Sequence, residues 1–351
     1  MISRRRLALL APALAVSPGW ALPPAHIRFP RDHGAHPDLR TEWWYITGRL
    51  TSGGREFGFQ VTFFRSRVDA ARQVHSAFAA KQLVFAHAAL TDVDGKRLWH
   101  DQRIAREGFH VAAAPIDGMH LKLRDWSLER TASGGIAARV AGADFALQLE
   151  LAPTQPALLQ GDHGLSRKGP QAEQASYYYS EPQLAVRGRV ALQGRRVDVE
   201  GHAWLDHEWS DELLAPNAVG WDWIGMNLDD GSALTAFRLR ANDGSALWDG
   251  GSFRPRGGSP YIFSRAEVLF SGQRQWTSPL SKATYPVEWI VRTPADFYTV
   301  RAVLDNQELD SRASTGAIYW EGLSHLFDSN GRQVGAGYLE MTGYAQRLRI
   351  T

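Results

Sequence analysis

Residues 201–210 read GHAWLDHEWS, and GWDW follows at 220–223. Asp206, His207 and Glu208 are three adjacent ionisable groups set between the indoles of Trp204 and Trp209. Burial among such rings raises a carboxyl pKa and lowers that of an imidazole. A buried Asp206 or Glu208 can therefore hold a proton to donate at neutral pH. Aromatic faces beside it stabilise positive charge developing on a reacting carbon. The same residues also make a polar staple with tryptophan filling volume, and spacing alone leaves both roles open. On a strand, His202, Trp204, Asp206 and Glu208 share one face, and Ala203, Leu205, His207 and Trp209 share the other.

By the same alternation Trp221 and Trp223 point one way and Asp222 the other. In EWWY, Trp43 and Tyr45 share a face opposite Glu42 and Trp44. Buried aromatics are usually plain core. Thirteen tryptophans in 351 residues exceed ordinary usage, however, and favour a slot for a long apolar ligand.

Other chemistries lack their residues. There is no G-x-S-x-G, and Ser166 in GDHGLSRKG reads as a loop residue. His202, His207 and Asp206 make a thin metal set without H-E-x-x-H or any cysteine, so neither metal nor cofactor is expected. The net charge is +2, but Arg4, Arg5 and Arg6 stand in an opening segment without acids, so the remainder carries −1. That balance, with scattered basic residues, argues against nucleic acid as a partner.

The opening segment, MISRRRLALLAPALAVSPGWA, reads as an export signal over residues 1–21, with Gly19 and Ala21 as its small cleavage-site residues. Its apolar run of about ten residues is roughly half a bilayer span, so no transmembrane segment is expected after cleavage. Ser3-Arg4-Arg5-Arg6-Leu7 fits the twin-arginine route as well as the general secretory one. The mature protein is expected in the periplasm or outside the cell.

The elements that must position these residues are strands. YITGRL, EFGFQVTFF, FAHAALTDV, FALQLEL, AVRGRVAL, RVDVEGHAWL and SALTAFRLR all alternate with period two. Gly53-Gly54, Asp94-Gly95, Asp230-Gly231 and Asn330-Gly331 punctuate them. No 3.6-residue stripe persists, so the fold class is all-β, a sandwich or barrel.

WWYITGRLTSGGREFGFQ at 43–60 also overlays WDWIGMNLDDGSALTAFR at 221–238, matching Trp43 with Trp221, Tyr45 with Trp223 and Phe59 with Phe237. YYYSEPQ…QGRRV at 177–197 and YWEG…NGRQV at 319–334 close the two halves and add Tyr178, Trp320 and Glu321 to the candidate ligand set. Two copies of one β unit follow, over 22–210 and 211–351, with SDELLAPNA as the linker.

Six ordered motifs carry a family resemblance: EWWYITG, GLSRKG…ASYYYSEP, GHAWLDHEWS, GWDW…LDDG, WTSP with TYPVEW, and YWEG…GYLEMTGY. From about residue 40 to 345 the chain resembles the AttH group of exported lipocalin-like proteins, related to the carotenoid 1,2-hydratases (hydroxyneurosporene synthases). The resemblance implies two tandem lipocalin-like β-barrels or sandwiches and an apolar ligand, isoprenoid or lipid-like, between or inside them. For the hydratase branch it implies cofactor-free addition of water to a terminal alkene. Asp206 or Glu208 would then donate the proton and His207 would orient the donor or activate the water. Trp209, Trp221 and Trp223 would stabilise the cation. The alternative is a non-catalytic carrier or chaperone of a hydrophobic molecule, serving an envelope transport system.

Overall fold

The computed structural model describes residues 21–348. The expected export signal lies outside them, apart from Ala21. The fold is all-β: a large, nearly closed antiparallel barrel sheet built from residues 41–210, and a second sheet built from 218–341. Among the described residues no helix is long and apolar enough to cross a membrane.

The sequence repeat reappears as topology. Thr41–Ser52 is central in the first sheet, paired with its hairpin partner Arg55–Arg67 and with the last strand of its unit, Arg195–Ser210. Ala218–Leu228 occupies the same place in the second, between Ala233–Ala241 and Gln333–Met341. Ala175–Leu192 and Ala317–Phe327 lie next outward. The first hairpin closes through Gly53 and Gly54, both at positive φ, the conformation a two-residue turn demands. The chain leaves the first sheet at Ser210 and enters the second at Ala218.

Each central strand is buried on both faces, which is why it reads as aromatic rather than cleanly amphipathic. Trp44, Ile46 and Leu50 face the first core, and Ile224, Met226 and Leu228 face the second. The opposite faces meet in a third cluster, containing Tyr45, Trp204, Trp223, Phe237, Leu323 and Tyr338. Tyr45 packs edge-on against Trp223 at 5.4 Å, and Trp204 does so at 6.4 Å. The sheets approach so closely that a Cβ on Gly58 would stand 2.7 Å from Tyr338 Oη. Burying each of these rings contributes about 1.5–3 kcal/mol, so the junction is part of the fold.

Candidate functional site

A cavity of about 230 Å³ lies between the two sheets, beside that junction. Trp43, Tyr45, Trp221, Trp223 and Phe237 line it, together with the side chains of Lys168, Asp206, Glu208, Glu321 and Glu340. A wider open groove of about 1840 Å³ adjoins it across Phe237, which lines both.

The alternation along Arg195–Ser210 decides what reaches the cavity. Asp206 and Glu208 face it, whereas Leu205 and Trp209 belong to the first core. Asp206 accepts from Tyr178 Oη at 2.7 Å, Ser180 Oγ at 2.6 Å and Trp204 Nε1 at 2.6 Å. Burial pushes its carboxyl up to about 7, against the pull of these three donors and with a further push from Glu208. Glu208 accepts from Ser176 Oγ at 2.5 Å and pairs with Lys168 Nζ at 3.0 Å. The Lys168 ammonium stands 4.3 Å from the Phe237 ring centre and 4.8 Å from that of Tyr178. Lys168→Met removes the counter-charge of Glu208 but leaves Ser176 and the open cavity, so it costs about 2 kcal/mol in a denaturant melt. An unchanged midpoint would show that Lys168 contributes no net stability here.

The second sheet supplies the facing wall. Glu321 and Glu340 are directly opposite on adjacent antiparallel strands. Burial pushes both carboxyls up, Glu321 well above the ordinary range and Glu340 to about 7. Among the described residues, Glu321 Oε1 and the buried Tyr45 hydroxyl have no hydrogen bond of ordinary geometry, although the Tyr45 hydroxyl lies close enough to Glu321 to oppose the rise of its carboxyl.

Of the remaining expected site residues Glu42 borders the cavity and Tyr178 the wider groove, whereas His207, Trp209, Trp44, Asp222 and Trp320 lie elsewhere. His207 and Trp209 cannot serve Asp206, because they project from the opposite face of the same strand into the first barrel. There His207 Nε2 and His36 Nδ1 reach Glu42 Oε1 at 2.9 and 2.7 Å, while Arg65 Nε donates to Oε2 at 2.8 Å. Trp44 stacks on His207 at 4.5 Å and Trp209 on His36 at 3.9 Å. Burial opposes charge on Glu42, yet its imidazole partners hold the carboxyl well below the usual range. Burial lowers His207 to about 4. Asp222 is likewise an internal anchor, gripped by Arg238 Nε at 2.7 Å, Arg240 Nε at 3.1 Å and Tyr344 Oη at 2.9 Å. Trp320 fills the second core and donates to the Asp305 carbonyl.

His36, Glu42 and His207 are the described residues whose donor atoms could surround a metal ion. Their 2.7 and 2.9 Å separations are hydrogen-bond distances, shorter than the roughly 3.3 Å edge that tetrahedral bonds of about 2.0 Å imply. In this arrangement both imidazoles hydrogen-bond the Glu42 carboxylate.

Sequence reading missed Glu340, Lys168 and Phe237. Lys168 lies in a loop without periodicity. A signal for Glu340 existed: the repeat matches Tyr45 with Trp223, and the strand partners of those two residues are Asp206 and Glu340.

Among solved structures, an AttH candidate from Nitrosomonas europaea is 46% identical, with 92% of this chain and 99% of that one covered and a TM-score of 0.86. Kievitone hydratase from Nectria haematococca shares 11% identity over 91% of this chain and 93% of its own, with a TM-score of 0.72. CghA, crystallised with Sch210972, shares 12% over 87% and 88%, with a TM-score of 0.51. At such identities the last two show a common fold alone. No curated protein matches the sequence. The AttH-like family model matches residues 20–344, and the chain belongs to the AttH-like family.

Proposed function

We propose that the cavity between the sheets takes the apolar end of an isoprenoid- or lipid-like alkene and adds water across its double bond by acid catalysis. The observation that carries this reading is the placing of buried, proton-holding carboxyl groups on an aromatic-lined cavity. Protonating an unactivated alkene needs a desolvated acid, and the tertiary cation formed needs π faces or a carboxylate nearby. Trp43, Tyr45, Trp221 and Trp223 supply the faces, and Glu208, with Lys168 on it, supplies a carboxylate. One neighbour on this fold is by name a hydratase, which supports the reading without deciding it.

One observation favours a second reading, a non-catalytic carrier of the same class of molecule. Asp206 already accepts three donors, which suits a fixed anchor better than a proton donor. In either case the export-signal reading of residues 1–21 supports a location outside the cytoplasm, where a carrier would serve an envelope transport system.

Native mass spectrometry of protein taken from its own periplasm, followed by solvent extraction, tests the proposal. A co-purifying isoprenoid or lipid carrying oxygen from labelled water is the expected result. The same molecule recovered unchanged would leave the carrier, and a clean apo mass would count against both readings.

A further inference from the structure

Among the described residues, no charged group pairs with Glu321 or Glu340 as a counter-ion. The two residues are cross-strand partners on the face opposite Trp320, Leu339 and Met341, which belong to the second core. Partners in this register hold their Cβ atoms about 4.5–5.5 Å apart. Glu321 is 3% exposed, and the part of Glu340 left open lines the cavity.

Among the described residues, the cations lining the cavity are engaged elsewhere, Lys168 with Glu208 at 3.0 Å and Arg65 with Glu42 at 2.8 Å. His87 is held neutral, lowered to about 3 by burial, and its ring binds Tyr319 and Ser314. Tyr45, Tyr319 and Tyr338, the phenols around the pair, are pushed well above their ordinary range by burial. Asp206 and Glu208 add only negative charge. Two carboxyl groups so placed cannot both ionise, and their titrations are joint.

The repeat shows how this arrangement differs from its counterpart. In the first unit the strand partner of Asp206 is Ser180, whose hydroxyl donates to it. In the second unit the partner of the equivalent Glu340 is Glu321, a second acid. A hydroxyl that ties a carboxylate down in one copy is replaced in the other by a second carboxyl group, which leaves the Trp221 indole as a donor to Glu340.

We propose that Glu321 and Glu340 work as one acid, a carboxyl pair that holds two protons, gives one to the ligand in the cavity and shares the other. This rests on the ligand reading above. An O–H bond of the pair breaks as the alkene π electrons form a new C–H bond, leaving a carbocation before the aromatic faces. Water adds to that carbon, and its surplus proton returns to the carboxylate just formed. Alkene and water become an alcohol, and the pair is restored. Within the pair, the neighbour's remaining O–H can hydrogen-bond the new carboxylate and so favour donation.

The test uses N,N-dimethyloctylamine, whose ammonium form mimics the cation, against the branched alkane of the same skeleton, each displacing an apolar fluorescent reporter from the full-length mature protein. The ammonium should bind about tenfold more tightly than the alkane. Its binding should release a proton from the pair, read calorimetrically as a dependence of the heat on buffer ionisation. Glu321→Gln and Glu340→Gln should each abolish the preference and the proton release while alkane affinity stays. Asp206→Asn should keep both. Preference and release that survive both glutamine variants, or that vanish with Asp206→Asn alone, would overturn the pair as donor. Alkane binding without any ammonium preference would overturn it too and leave the ligand cavity standing. Failure of both probes to bind would remove the ligand reading, and the donor role with it.

Discussion

Glu42→Leu lowers the unfolding free energy by about 3–5 kcal/mol, read from the urea midpoint with the slope unchanged. Glu42 is fully buried and Arg65 nearly so. The Glu42 carboxylate collects the Arg65 guanidinium, both imidazoles and the His36 backbone N–H, the last at 2.9 Å. Removing it leaves a buried cation without a counter-ion and two imidazole nitrogens without their acceptor. Much of the cost comes from the stranded guanidinium, so Glu42→Leu combined with Arg65→Met should cost less than Glu42→Leu alone. A loss under about 1 kcal/mol for the single change would mean that water reaches Arg65, and the network would not be the structural anchor described above.

That network shows where sequence patterning ends. The alternation in GHAWLDHEWS correctly divides its residues between two faces, and the repeat correctly matches Tyr45 with Trp223. The family resemblance groups His207 and Trp209 with Asp206, whereas neighbours along a strand point apart, and here the two lie on the first-core side. His207 instead meets Glu42 and Tyr179, and those two bind His36 and His33 from an aperiodic segment ahead of the first strand that carries no pattern to read. Register is the other gap. That Glu321 meets Glu340 depends on how the last two long strands pair, and a one-residue slip would put them on opposite faces. Lys168 is invisible for a third reason: only the folded loop brings it onto Glu208 and Phe237.

The same burial gives the protein two opposed sets of proton-linked groups, and the second large effect concerns their balance. His33 and His87 are lowered to about 3 and His207 to about 4, all by burial first, from an ordinary 6.5. For these the unfolded chain binds more protons between those values and 6.5, so stability falls as pH drops through that window. Glu42, held low, adds to the loss on the acid side. Asp206 and Glu340 are raised to about 7, from ordinary values of 3.8 and 4.5, and Glu321 is raised further. For these the folded chain keeps the protons, so their contribution is complete at low pH and fades as pH rises towards 7. Between pH 4.5 and 6.5 the two sets cancel, and the urea midpoint should stay nearly flat, with a steep fall below pH 4 where the histidines and Glu42 act unopposed. Asp206→Asn with Glu340→Gln removes much of one set and should turn the flat stretch into a rise with pH. Each carboxyl removed contributes on the order of 2–3 kcal/mol to that rise across the window. A wild-type midpoint that already climbs steeply from pH 4.5 to 6.5 would show that the cavity carboxyls ionise normally, and would remove the proton store on which acid chemistry in this cavity depends.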